Sequence, residues 1–306
     1  MASYLEHKTT DTTDSARDGS WGRVSAAAKE GEKKADPVMT AAGVAALTVT
    51  QQYLAETVSG YRRSDEDLKA RNAGLEWLDQ HFQLNDPAVE EADWYYYMWI
   101  IQQVGFASGY RTFNGVDWNT EVTREILNRQ LPDGTWGGEQ GKTVSTAFAM
   151  LYLSQANAAV GAAKLQYAGA WNDEPDDLLN FARYASNRYE SPIIWQVVDA
   201  NLTGGELLES PMLYLSASDQ FTFTPEQFAH LRNYVEGGGM FIIPSTLSRN
   251  SATDRPSEIC PAFSIASSIG LKSRSTLALF AAESFGDRRA FASQPRATSP
   301  RSLRML

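Results

Sequence analysis

The chain has 306 residues, 43% of them hydrophobic, and a formal net charge of −10. Its 8 Trp, 13 Tyr and 13 Phe carry enough apolar area for true cores, which excludes a disordered chain. The acidic balance excludes broad nucleic-acid binding, which needs clustered Lys and Arg. The single cysteine, Cys260, excludes an intramolecular disulfide framework and a Cys-rich zinc site.

No run of apolar residues is long enough to span a membrane, and the first twenty residues are too polar for a signal peptide. The residues as written predict a soluble, unexported chain; a start upstream of residue 1 would remove that expectation.

Residues 18–160 read as paired helices with repeated punctuation. The turn Asp18-Gly19-Ser20-Trp21-Gly22 recurs as Asp133-Gly134-Thr135-Trp136-Gly137, and an Ala-rich helix follows each copy, over 39–46 and 146–153. A repeated turn-plus-helix unit predicts a stacked helical array. Between the copies, Ser64 and Asp67 suggest a capping box ahead of a helix with Leu68, Leu75, Leu78 and Phe82 on its apolar side. The aromatic run from Trp94 to Trp99 is apolar on every side and predicts a buried helix. Val122, Ile126, Leu127 and Gln130 predict one more, ending before the Pro132-Asp133-Gly134 turn.

From about 163 to 244 strands alternate with helices, the pattern of a mostly parallel sheet in a small Rossmann- or flavodoxin-like α/β domain. Lys164 to Tyr167, Ile193 to Val198, Met212 to Leu215 and Met240 to Ile243 read as strands. One helix opens near Pro175 and carries Leu178, Phe181, Ala182, Ala185 and Tyr189. The next opens on Thr224, with Pro225 at its first position and Gln227 completing a capping box. Phe228, Leu231 and Val235 form its inner face, and Gly237-Gly238-Gly239 ends it.

Residues 245–306 break both patterns. This stretch holds 13 Ser, no Trp and no Tyr, and nine Lys or Arg against four Asp or Glu. Such a reversal predicts an aberrant, disordered or frameshifted tail, in a chain that is otherwise multidomain α and α/β.

The segment from Gln130 through Gly134 to Trp136 resembles the QW motif of squalene and hopene cyclases, with Trp21 in a degenerate second copy. The resemblance implies a partial α/α toroid of the terpenoid cyclase and prenyltransferase kind. In that motif the Gln bonds exposed helix-end groups and the Trp covers a neighbouring helix, so Gln130, Gly134, Trp136 and Trp21 are expected to be structural. From Lys164 to Pro244 the stretches LQYAGAWN, NFARY, PMLYLSASDQFTF and LRNYVEGGGMFII resemble a bacterial family known as domain of unknown function 4159. That family commonly follows such repeats in longer, often exported or membrane-linked proteins. Where it tends to carry a Gly-His pair after the third strand, this chain has Ala217-Ser218.

No Asp-x-Asp-Asp acid and no Asp, Cys and His zinc triad occurs, so neither cyclase nor prenyltransferase activity is expected. Asp173, Asp176 and Asp177 stand at a helix start, where carboxylates complement the dipole. His7, His81 and His230 lack ligand spacing. Trp94, Tyr95, Tyr97 and Trp99 could line a cavity and face a cation, although aromatics at this spacing are more often core. No catalytic residue, metal or cofactor is expected. Ligands of open α/β sheets bind beyond the carboxyl ends of the strands. Reading each strand to its end selects Trp171, Asn172 and Asp173, then Asp199, then Ser216, Ser218 and Asp219. The first expectation is a non-catalytic binding or scaffold protein for an unidentified protein or small-molecule partner. The alternative is an amidotransferase-like or hydrolase-like enzyme acting at those same strand ends, and terpenoid cyclisation ranks last.

Overall fold

A computed structural model describes residues 18–22, 35–58, 65–137, 141–169, 171–172, 175–216 and 223–242. The chain divides into two compact units. The first comprises the described residues up to Lys164 together with 181–198, and the second comprises 165–180 with the described residues from Asp199 onward.

In the first unit, helix α1 (Pro37–Thr57) starts on Asp36, whose side chain accepts the Met39 N–H, with Pro37 at its first position. It is eleven residues longer at its C-terminal end than the predicted 39–46 stretch, because core packing carries the helix past the end of its Ala-rich run. Helix α2 (Asp65–His81) buries Leu75, Trp77 and Leu78, with Phe82 buried just beyond it. The capping box expected at Ser64 and Asp67 lies outside the described side chains. Helix α3 (Trp94–Ser108) contains no exposed residue, as its aromatic content predicts. A hairpin of β1 (Thr112–Phe113) and β2 (Val116–Asp117) leads directly into α4 (Trp118–Asn128), whose N-cap is Asp117. Helix α5 (Lys142–Gln155) follows the second Trp turn. α3 packs on α1, α4 and α5, and α1 also packs on α2.

Three indole N–H groups close the places where the chain leaves these helices. Trp94 donates to Leu84 O at 2.9 Å, Trp118 to Tyr110 O at 2.7 Å and Trp136 to Ile126 O at 2.7 Å. Each supplies a buried partner to a carbonyl at or just beyond a helix end.

The two Asp-Gly-x-Trp-Gly turns fold alike. Asp18 Oδ1 accepts from Ser20 N and Oγ at 2.9 and 2.7 Å; Asp133 Oδ1 accepts from Thr135 N and Oγ1 at 3.1 and 2.6 Å. The central glycines, Gly19 and Gly134, adopt φ of +94° and +81°. Trp21 N donates to Thr40 Oγ1 at 2.9 Å and Trp136 N to Thr146 Oγ1 at 3.0 Å, so each turn is pinned to the first turns of the helix after it.

Gln130 acts differently from the expectation. It lies beyond α4 in a bridge with Trp136, and its Nε2 donates to Gly134 O at 3.0 Å. The glutamine therefore braces its own turn, while the tryptophan satisfies the helix end, because only the indole reaches the buried Ile126 carbonyl. Leu127, expected on the apolar face of α4, is 54% exposed, since the burial stripe runs through Trp118, Val122 and Ile126. Trp94, Tyr95 and Tyr97 are core residues; half-buried Trp99 packs against Tyr96 and Phe148.

A parallel four-stranded sheet contains β3 (Ala159–Gln166), β4 (Ile193–Asp199), β5 (Met212–Tyr214) and β6 (Met240–Ile242), in the order β4-β3-β5-β6. β3 begins five residues before the predicted strand. Its first half, Ala-Val-Gly-Ala-Ala, has little β propensity of its own and is a strand through burial and pairing. Gly161 is needed there, since a side chain would strike Ile193. Helix α6 (Asp177–Tyr189) buries Leu178, Leu179, Ala182 and Ala185, whereas Tyr189 is exposed at the helix end. Asp177 Oδ1 accepts the Leu178 N–H within the first turn of α6. Short α7 (Gly204–Leu207) and α8 (Pro225–Glu236) both start on complete capping boxes. That of α8 is formed by Thr224 and Gln227, as read from the sequence. The expectation for residues 245–306 lies outside the described residues.

Trp136→Ala should cost on the order of 3 kcal/mol or more, since it leaves a cavity and the Ile126 carbonyl without its donor; thermal denaturation measures this. Lys142, first, and Thr135 hold the exposed Asp133 carboxyl well below the usual carboxylate range. Because the folded value is depressed, its contribution is present above the ordinary carboxylate range and is lost as pH falls through the folded value. Asp133→Asn should therefore lower stability at neutral pH and flatten its decline in acid, as read by chemical denaturation across pH.

Candidate functional site

The carboxyl ends of β3 and β5 are adjacent, because the strand order places these two side by side at the centre of the sheet. The chain leaves β3 toward α6 and β4 on one side, and leaves β5 toward α8 and β6 on the other. The connections from these two neighbouring strands therefore run to strands on opposite sides of the sheet.

Three aromatic rings and one hydrogen bond pack together at these strand exits. Tyr167, immediately after β3, is buried and its hydroxyl donates to Ser216 O at 2.8 Å, tying the two exits together. Its ring meets Phe223 edge-on at 5.7 Å, and Phe223 meets Phe228 of α8 at 5.6 Å. β5 pairs in parallel with β6, Leu213 opposite Phe241, and Leu215 N donates to Ile242 O at 3.0 Å. At the far end of α8, Tyr234 sits against Gly239, where a side chain would overlap its ring, and its hydroxyl reaches Ser210 O and Met240 O, both at 3.2 Å.

The residues selected from the sequence divide into three groups. Trp171 and Asn172 lie half-buried after β3, and Ser216 lies buried after β5, at the two exits joined by Tyr167. Asn172 Oδ1 is buried and accepts no hydrogen bond from the described residues. Asp199 stands at the end of β4, on the far side of β3 from β5; it is exposed, and its Oδ1 accepts the Asn201 N–H at 2.7 Å as a turn-forming Asp does. Asp173, Ser218 and Asp219 lie outside the described residues.

Two features escaped sequence reasoning. Tyr167 reads as the last residue of a strand, and its partner is 49 residues away, so nothing local marks it. Lys164 is fully buried on β3, although its place in a central strand between Ala163 and Leu165 signals burial of an amine that must be compensated. Among the described residues no three His, Cys, Asp or Glu side chains gather as metal ligands would. His81 stacks on Trp77 at 4.3 Å and its Nδ1 bonds Trp77 O at 2.8 Å, while His230 lies half-buried on α8. No helix among the described residues is long and apolar enough to cross a membrane.

The stretch that carries these strands also carries a family signature. A DUF4159 domain, a domain of unknown function, is found at residues 162–261. The match runs past residue 244 into the segment where the composition changes, and it includes Cys260. No curated protein and no solved structure matches the chain.

Within the DUF4159 domain, Tyr167→Phe should keep the ring contacts but leave the Ser216 carbonyl without its donor, costing about 1–3 kcal/mol. Equilibrium urea denaturation of the two proteins gives the difference.

Proposed function

We propose that the protein is a binding or scaffold protein, in which a helical repeat unit is joined to an α/β module that takes its ligand at the carboxyl ends of β3 and β5. The strand order carries this reading. In the order β4-β3-β5-β6 the crossovers from the two central strands run to opposite sides, which is the flavodoxin-type arrangement with its binding crevice at that reversal. Asn172 Oδ1 adds a second support. A buried acceptor without a donor costs free energy that a ligand N–H or O–H would recover.

The shared hydrogen-bond pattern of the Trp21 and Trp136 turns supports reading the helical unit as repeats of one kind, as in the α/α toroids. Its aromatic residues fill a core instead of facing a reacting cation. Fold alone assigns no chemistry, so the binding role rests on the strand-end geometry.

The test is a thermal-shift screen of the full chain against flavin mononucleotide, nucleoside phosphates, amino acids and polyamines, run in parallel on Asn172→Leu. The expected result is a compound that stabilises the parent and loses that effect in the variant. The variant without ligand should melt higher, by up to about 1–3 kcal/mol of stability, because a buried unsatisfied acceptor is removed. A compound that stabilises both proteins equally would move the site away from Asn172. A lower melting point for the unliganded variant would show that the oxygen is satisfied in the fold.

A further inference from the structure

The hairpin between β1 and β2 turns on two residues, Asn114 and Gly115, with φ of +50° and +71°. A two-residue loop with both φ positive matches the twist of the flanking strands, and Asn-Gly is the pair that adopts it at least cost. The same dipeptide is the one whose backbone most readily attacks its own side chain. The Gly115 nitrogen, on losing its proton to hydroxide, can bond to Asn114 Cγ; the Cγ–Nδ2 bond breaks and ammonia leaves. The succinimide formed is then opened by water to aspartate or isoaspartate. Nothing is oxidised or reduced, and water is the only co-reactant.

Asn114 is exposed, and open space surrounds the position where a Gly115 side chain would stand. Yet its reacting amide is tied down. Nδ2 donates to Phe82 O at 3.1 Å, and the Asn114 backbone N–H donates to Asp79 Oδ1 at 3.2 Å, so the turn is latched to the end of α2 through both groups. Attack requires the side chain to swing its carbonyl carbon toward the Gly115 nitrogen, which breaks the bond to Phe82.

We propose that Asn114-Gly115 is a self-modification site gated by this latch, reacting only from the unlatched hairpin. The product cannot restore the closed state. A carboxylate has no N–H for the Phe82 carbonyl and places a negative charge beside Asp79. Deamidation is therefore an irreversible release of the hairpin from α2. Because β2 runs straight into the Asp117 cap of α4, the start of that helix loosens with it.

The experiment incubates the full chain in warm neutral buffer and follows aspartate and isoaspartate at position 114 by peptide mass mapping. The chain unfolded in urea sets the ungated rate. The parent should react at least about tenfold more slowly than the unfolded chain, since reaction proceeds through a minor open state. Asp79→Ala, which removes one half of the latch from an exposed position, should react several-fold faster than the parent. In Asn114→Asp, hydrogen exchange at residues 112–120 should speed up while α3 stays protected. A parent rate equal to that of the unfolded chain, or an Asp79→Ala rate equal to the parent's, would overturn the gating. Unchanged exchange in Asn114→Asp would overturn the release.

Discussion

A helix that ends inside a protein leaves carbonyls that water cannot reach, and each needs a donor. In the helical unit the donor is repeatedly an indole. Trp94, Trp118 and Trp136 close the chain exits at Leu84, Tyr110 and Ile126, and the three rings are buried in one continuous core. A leucine could fill much of the same space but would leave the carbonyl unpaired, so these positions require both a large apolar ring and one N–H at its edge. Arg129, at the third exit, reaches from outside to the first. It lies 3.9 Å over the Trp94 ring, bonds Glu125 Oε1 at 2.7 Å and Glu91 Oε1 at 3.1 Å, and reaches Asn85 Oδ1 at 2.9 Å.

Rings of this size fit only where the opposing helix gives way. Trp21 lies against Gly43 of α1 and Gly74 of α2, and Trp118 against Gly105 of α3; at each glycine an added side chain would overlap or crowd the ring. The same device continues at the end of α3. Gly109, with φ of +74°, is both the left-handed C-cap of that helix and the surface on which Trp195 of β4 rests. Its carbonyl also accepts the Val197 N–H at 2.7 Å, which satisfies that one backbone donor of the edge strand β4.

The α/β strands are held by a different balance. Their core mixes aliphatic Leu165, Leu213 and Leu231 with buried Trp195, Phe241 and Tyr234. Tyr167 bridges the exits of β3 and β5, and the Asn172 acceptor meets no donor among the described residues. A rigid floor beneath polar rims is what binding needs, since groups already in place lose little freedom when a ligand arrives. The latched Asn-Gly hairpin shows the reverse situation, where a local bond holds a reactive pair apart.

Much of this was legible from residues close together in the chain. The burial of α3 followed from aromatics on all sides, and the start of α8 from Thr224, Pro225 and Gln227; the likeness of the two Trp turns followed from repeated letters at one spacing. Such features are decided within one or two helical turns, where local hydrogen bonds and periodicity dominate. The Asn114-Gly115 hairpin went unread in the sequence, although its signal is equally local. Only the tertiary structure decided that Gln130 braces its turn while Trp136 closes the helix, that Leu127 faces outward, and that β3 starts at Ala159. It alone joined Tyr167 to Ser216 and set β4, which ends at Asp199, on the opposite side of β3 from β5. The reason is the same in each case: burial and strand order are set by partners distant in sequence. A residue's own neighbours do not reveal which carbonyl or which strand the fold will bring beside it.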